Sequence, residues 1–295
     1  MLSTFHPNIK SDNFVLAVSG GVDSVVLLHL LSKLDYSFVV AHYDHGIRKS
    51  SSDDRRFVQD LATKYNRKFY YEEGKLGPDA SEELARDKRY EFLKKIQKET
   101  GANLIVTAHH QDDEIETAMI NILRGTGRLG LSSLQNNPTV QRPLLGFLKT
   151  EIMEYAIKNK LEWVEDSTNL DTTILRNYLR IKVIPKMTQE QKKCFLNLVL
   201  KAEEINNKIE PILSSLSNRL QHKGGPVISR ASFLRLDDRI SREIIHYLLR
   251  LFKYKNYDKK TIDLIVVGIK TLKSGKVIDI PGGKIILTKR SARFY

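Results

Sequence analysis

Apolar residues in the first half of this chain fall into short β-rich runs that alternate with longer segments of helical spacing. Phe14-Val15-Leu16-Ala17-Val18 is continuous and short, which predicts a buried strand. Residues 38–42, 68–71 and 104–108 predict a second, third and fourth strand. Between them, 25–31, 53–65 and 81–97 carry helix formers at helical spacing. This alternation predicts an α/β fold, a parallel sheet with helices on both faces whose ligand sits at the carboxyl ends of the strands. From Phe147 onward the pattern is mostly helical. A break over 216–226, containing Lys223-Gly224-Gly225-Pro226, reads as a linker. Beyond it, helical stretches at 238–252 and 260–273 and short strands around Pro281-Gly282-Gly283 predict a small α+β domain. The expected organisation is therefore a parallel-sheet domain with trailing helices over 1–215 and a second domain over 216–295.

Charge changes the picture at the second domain. Residues 216–295 hold 18 Lys and Arg against 6 Asp and Glu, out of 48 and 35 in the whole chain. Excess positive charge collected in one segment favours a polyanionic partner, and nucleic acid is the expectation. No run of eighteen apolar residues occurs, and the first ten residues do not pattern as a signal peptide, so a cytoplasmic protein without a membrane partner is expected. Cys194 is the single cysteine, which excludes an internal disulfide, a CxxC pair and a multi-cysteine metal site. Beside Phe195 and Leu196 it reads as a small buried hydrophobe.

The chemistry starts at Ser19-Gly20-Gly21-Val22-Asp23-Ser24, between the first strand and the first helix. Two glycines permit a sharp turn and a close backbone approach to a ligand. Ser19, Asp23 and Ser24 stand where a helix wants N-caps, and free N–H groups there favour a phosphate. An ordinary capped turn would read similarly. No Walker A pattern occurs anywhere, so the loop is a phosphate cradle of another kind.

Four further stretches carry candidate chemistry. His42, Asp44 and His45 follow the second strand and suit contacts to a nucleotide better than a zinc site. Arg86 and Arg89 lie on a helix, where phosphate contact and a solvated face are both open. After the fourth strand, His109-His110-Gln111-Asp112-Asp113-Glu114-Ile115-Glu116 brings histidines and carboxylates to the ligand end of the sheet. Asp113-x-x-Glu116 fits a capping box, but the pair also shares a helix face and suits a cation. Gly125-Thr126-Gly127-Arg128-Leu129-Gly130 matches GxGxxG but follows a helix, so it is a loop flanked by Arg124 and Arg128 and not a dinucleotide fingerprint. Arg142-Pro143-Leu144-Leu145, Asp166-Ser167-Thr168-Asn169, and Arg176 with Arg180 complete the set.

In this order the motifs resemble those of tRNA(Ile)-lysidine synthases within the PP-loop ATP pyrophosphatases, over residues 14–185. The resemblance implies adenylation by ATP of O2 of the wobble cytidine in a tRNA(Ile) with a CAU anticodon. Free L-lysine then displaces AMP at C2. It implies ATP contacts from Ser19, Gly20, Gly21, Val22, Asp23, Ser24, His42 and His109, with Asp23 on Mg²⁺. Asp113 and Glu116 take the lysine ammonium, so Asp23, Asp113 and Glu116 are the expected catalytic residues. For tRNA the candidates are Arg86, Arg124, Arg128, Arg176, Arg180, Lys253 and Lys255. The chain stops earlier than longer members. A PP-loop tRNA thiolase or another ATP-dependent tRNA-modifying enzyme is the alternative, although Cys194 alone suits a thiolase poorly. Oligomeric state is left open, a homo-oligomer included.

Overall fold

The computed structural model describes residues 5–46, 51–74, 77, 82–132, 134, 139–165, 171–221 and 225–295. Ile47-Arg48, Ser81, Asp166-Ser167-Thr168-Asn169 and Lys223-Gly224 lie outside the described residues. Strands β1 (Asn13–Ala17), β2 (Ser37–Asp44), β3 (Phe69–Glu73), β4 (Leu104–Val106) and β5 (Val140–Gln141) form a parallel sheet in the order β3-β2-β1-β4-β5. Helices α1 (Val22–Ser32), α2 (Ser51–Lys64), α3 (Glu82–Thr100), α4 (Gln111–Leu123), α5 (Arg128–Leu131) and α6 (Lys149–Lys158) connect or follow them.

Alternation along β1 sets which face each helix covers. Phe14 and Leu16 join Phe38, Val40, Leu104 and Val106 in one core with α1, α2 and α6. Val15 joins Ala41, Ile105 and Val140 in a second core against Phe92, Leu93 and Ile96 of α3. A one-residue slip would exchange the two faces and lose about 2 kcal/mol for each large side chain sent to solvent. The predicted doubly covered parallel sheet is thus the observed one. Strand β5 has no signal in the sequence. It is two residues long and is a strand only because Val140 and Gln141 pair with Ile105 and Val106.

After α6 come α7 (Leu175–Tyr178), a π-helical turn at Leu179–Val183, a short 3₁₀ turn and the long helix α8 (Gln189–Leu220). The chain parts into two compact units, Met1–Glu203 and Glu204–Tyr295. The division falls inside α8, upstream of the 215/216 boundary expected from sequence, because the helix runs without a break to Leu220. Cys194 is exposed on α8, not buried. The face of α8 that packs there carries Leu196 and Val199, and Cys194 lies off that stripe. The second unit is an antiparallel sheet, β6-β9-β8-β7, from β6 (Val227–Ser229), β7 (Val277–Ile280), β8 (Gly283–Leu287) and β9 (Ser291–Phe294). Its core is closed by α9 (Arg230–Leu234), α10 (Asp238–Leu251) and α11 (Lys259–Thr271) together with Leu213 and Leu220. Among the described residues no helix is long and apolar enough to cross a membrane.

Candidate active site

Strand order reverses between β1 and β4, and the crevice beyond their carboxyl ends is where such a sheet takes a ligand. A cavity of about 450 Å³ opens there. Ser19, Gly21, Asp23 and Ser24 line it after β1, His42 and Asp44 at the end of β2, and Thr107 and His109 after β4. Asp54 of α2, Arg89 of α3, Asp113 of α4 and Arg180 of the π turn add further charged groups to its wall.

The phosphate-type loop works by backbone. Gly20 sits at φ +96°, a left-handed conformation that glycine adopts without strain, and its carbonyl accepts the Val164 N–H at 3.0 Å. Ser24 does not cap α1 as expected. Gly21 is the N-cap, and Ser24 Oγ instead accepts the N–H groups of Ser19 and Gly20, both at 3.2 Å, while donating to the Gly21 carbonyl at 2.8 Å. The serine therefore ties the loop closed from inside. The first N–H groups of α1, at Val22, Asp23 and Ser24, have no intrahelical acceptor and are left for an anion.

Asp23 stands at the loop's mouth with a partner the sequence did not announce. Lys149 Nζ, on the first residue of α6, lies 2.5 Å from Asp23 Oδ1. The two residues are 126 positions apart and meet because α6 shares the α1 core. The only hint in the sequence is that Lys149 closely follows the Arg142-Pro143-Leu144-Leu145 stretch. Arg142 itself is buried and donates to the Tyr90 hydroxyl at 3.4 Å, and Arg86 stacks on the same ring with its guanidinium 5.2 Å from the centroid.

Burial disfavours the charged form of His42 and His109. His42 is buried and its Nδ1–H donates to the Val18 carbonyl at 2.9 Å, so Nε2 remains as an acceptor. Burial lowers its pKa, more than the Val18 bond and Asp44 raise it. Burial takes His109 down to about 3, with Arg89, Arg142 and Arg86 adding to the fall and Asp113 opposing it. His109 Nδ1 shares a hydrogen bond of 2.8 Å with Thr107 Oγ1. The folded pKa lies below the unfolded one, so the neutral ring stabilises the fold above pH 6.5 and that contribution fades as the pH falls toward 3. In a pH series of imidazole NMR spectra the His109 signals should stay unmoved between pH 5 and 8. A midpoint inside that range would show an open, solvated ring.

At the far wall, α4 begins at Gln111 with His110 as N-cap, and Asp113 Oδ2 accepts the His110 N–H at 3.0 Å. The capping interaction therefore involves His110 and Asp113; Glu116 has no part in it. His110 Nε2 lies 3.4 Å from Asp113 Oδ2 and 3.7 Å from Asp23 Oδ2, between the two carboxylates. Burial acts to raise the Asp113 pKa, but His110, His109, the His110 N–H and Arg180 outweigh it and hold it below the usual range.

Glu116 is only 1% exposed, and its carboxylate is clamped. Arg176 Nη1 donates to Oε1 at 2.6 Å, and Arg180 Nε to Oε2 at 3.0 Å. Burial pushes Glu116 up to about 7, against the pull of Arg180 and Arg176. Arg176 and Arg180 thus face a buried acid, whereas the sequence read them as RNA contacts on one helix face. Arg124 is exposed at the end of α4 and Arg128 opens α5, and neither lines the cavity. Lys253 and Lys255 are exposed in the second unit, between α10 and α11. Among the described residues no group of three or more His, Cys, Asp or Glu could hold a metal by itself.

The family profile of the PP-loop domain matches residues 1–187, the span that builds this cavity. The chain belongs to the PP-loop family. ATP use comes with the family, and the glycine turn at Ser19–Ser24 lies within the matched span. Among curated relatives, a tRNA(Ile)-lysidine synthase of Thermosipho africanus is 41% identical over 190 residues, 60% of this chain and 44% of the relative. One from Thermotoga maritima is 39% identical over 61% of this chain and 46% of its own length. The bifunctional protein TilS/HprT of Listeria monocytogenes is 31% identical across 94% of this chain and 46% of its own. The chain spans just under half the length of these curated relatives.

Proposed function

We propose that this PP-loop protein ligates free L-lysine to C2 of the wobble cytidine of a tRNA(Ile) with a CAU anticodon, at the expense of ATP. One observation carries the reading: the glycine-rich loop and Asp113 line a single cavity, and Arg180, which also lines it, links that wall to the buried Glu116. In the first step the cytidine O2 attacks the α-phosphorus and pyrophosphate leaves. The N–H groups that open α1, with Lys149, stabilise the departing anion, so this step is mostly positioning and charge neutralisation. In the second step the lysine Nε attacks C2 and AMP departs with the former O2. The ammonium must lose a proton first, and Glu116, pushed up to about 7, is matched to that task near neutral pH.

Mg²⁺ commonly binds through one or two carboxylates together with substrate phosphates. The donor set fits that mode, since Asp23 Oδ1 holds Lys149 while Oδ2 lies 3.7 Å from His110, beyond hydrogen-bond reach. Asp23 would hold the ion, which supplies charge neutralisation at the pyrophosphate. His42, through its free Nε2, and His109 offer contacts for the nucleotide. The basic second unit is the docking surface proposed for the tRNA. Its acids are partly engaged internally, by Arg242 on Asp263 at 2.5 Å, Lys270 on Asp238 at 2.6 Å and Arg250 on Glu210 at 2.5 Å. The excess positive charge is therefore left for phosphates.

The test is AMP release from ATP in the four combinations of tRNA and lysine. Product is expected only when both are present. Release driven by tRNA and a sulfur donor, with lysine without effect, would replace the proposal by a thiolase. None of the residues that line the cavity is a cysteine, which speaks against that outcome.

A further inference from the structure

The carboxylates assigned to the lysine ammonium are already neutralised. Among the described residues, Arg176 and Arg180 pair with Asp113 and Glu116, so that two arginines face two acids. Adding an ammonium beside the buried Glu116 would leave one uncompensated positive charge in a poorly hydrated site, which is strongly unfavourable. One arginine has to leave.

The two arginines differ in their freedom to do so. Arg176 is 25% exposed and does not line the cavity; its bond to Glu116 is short, at 2.6 Å. Arg180 is 41% exposed, lines the cavity, and holds Asp113 and Glu116 Oε1 only through 3.4 Å contacts beside its 3.0 Å bond. It also stands on a π turn, a rare backbone form frequent at functional sites. Asp23, at the mouth of the PP-loop, is among the charges that Arg180 feels. A guanidinium binds phosphate in the same two-pronged way as carboxylate, so a triphosphate in this cavity competes directly for it.

We propose that Arg180 is a transferable cation that couples the two substrate sites: ATP phosphates draw it off Asp113 and Glu116, and the vacated carboxylates then accept the amine. The inference rests on the proposed function above. ATP and lysine then bind with positive cooperativity, and each strengthens the other by the same factor. Arg176 stays on Glu116 and keeps the acid from facing the cavity alone.

The experiment is calorimetric titration of L-lysine into the full chain, with and without α,β-methylene-ATP, in the absence of tRNA so that nothing turns over. The analogue should tighten lysine binding about tenfold, and lysine should tighten analogue binding equally. In Arg180→Ala, lysine should bind the nucleotide-free protein nearly as well as it binds the wild-type complex, with a coupling factor near one. Arg176→Ala should keep the coupling. Lysine binding without coupling in the wild type, or full coupling in Arg180→Ala, overturns the inference and leaves the amine site standing. No lysine binding in either state, with the analogue still bound, overturns the amine-site reading and the inference with it. Should Arg180→Ala fail to fold, Arg180→Lys keeps the charge but loses the two-pronged grip. Reduced coupling there supports the inference, and wild-type coupling overturns it.

Discussion

Asp23→Ala should bring tRNA- and lysine-dependent AMP release down by about a thousandfold, while its melting temperature and circular dichroism stay close to wild type. Removal of one preorganised charged or polar group from such a site typically costs about 10²–10³ in rate. Asp23 does two jobs at once, since it anchors Lys149 at 2.5 Å and presents the oxygen proposed for Mg²⁺. Its side chain is 29% exposed, and the loop is closed by Ser24 without its help, so the fold does not depend on it. Lys149→Ala should lose activity in the same direction. The double variant should lose less than the product of the two, because the residues share one interaction. Single-turnover AMP release in folded proteins is the measurement. A folded Asp23→Ala within tenfold of wild type would remove the loop's carboxylate from the mechanism.

How much of this was legible before the structure depends on what kind of force made each feature. Strands β1 and β4 read correctly because a parallel strand covered on both faces is a nearly unbroken apolar run. The glycine-rich loop and the acidic cluster were visible as strings because each is contiguous, running from a strand end into the first turns of the following helix, where neighbours in sequence act together. Features made by contacts across the fold were not. Lys149 meets Asp23 only after α6 has packed on α1. Arg176 and Arg180 read as RNA contacts or a solvated helix face because no neighbour in sequence shows that they meet Glu116. A signal was present, though. Glu116 sits between Ile115 and Ala118 on a buried stretch of α4, and an acid there needs cations to accompany it. Two arginines four apart, in a segment otherwise short of acids, were the candidates. Ser24 misled for a different reason, since its residue type suits an N-cap while the loop uses its hydroxyl to close on itself. The break read over 216–226 begins inside α8, which runs to Leu220, and the two compact units part further upstream, after Glu203.

Reversing Lys253, Lys255, Lys259 and Lys260 to glutamate together should weaken tRNA binding by two orders of magnitude or more at low salt. All four are exposed, on the connection between α10 and α11 and the first turn of α11. The fold should tolerate the change, because acids at 259 and 260 suit the positive end of that helix. For every phosphate left without its lysine, the slope of log affinity against log salt falls by about one unit, so the variant should show a shallower line than wild type. The lysine and nucleotide affinities should be unchanged, since the PP-loop, Asp113 and Glu116 all belong to the other compact unit. Fluorescence anisotropy of labelled tRNA from low to moderate salt reads both quantities. Equal slopes and affinities would take the RNA site away from these lysines. The search would then pass to Arg124 and Arg128, which flank the exposed loop after α4 and, unlike Arg176 and Arg180, are not gathered around Glu116.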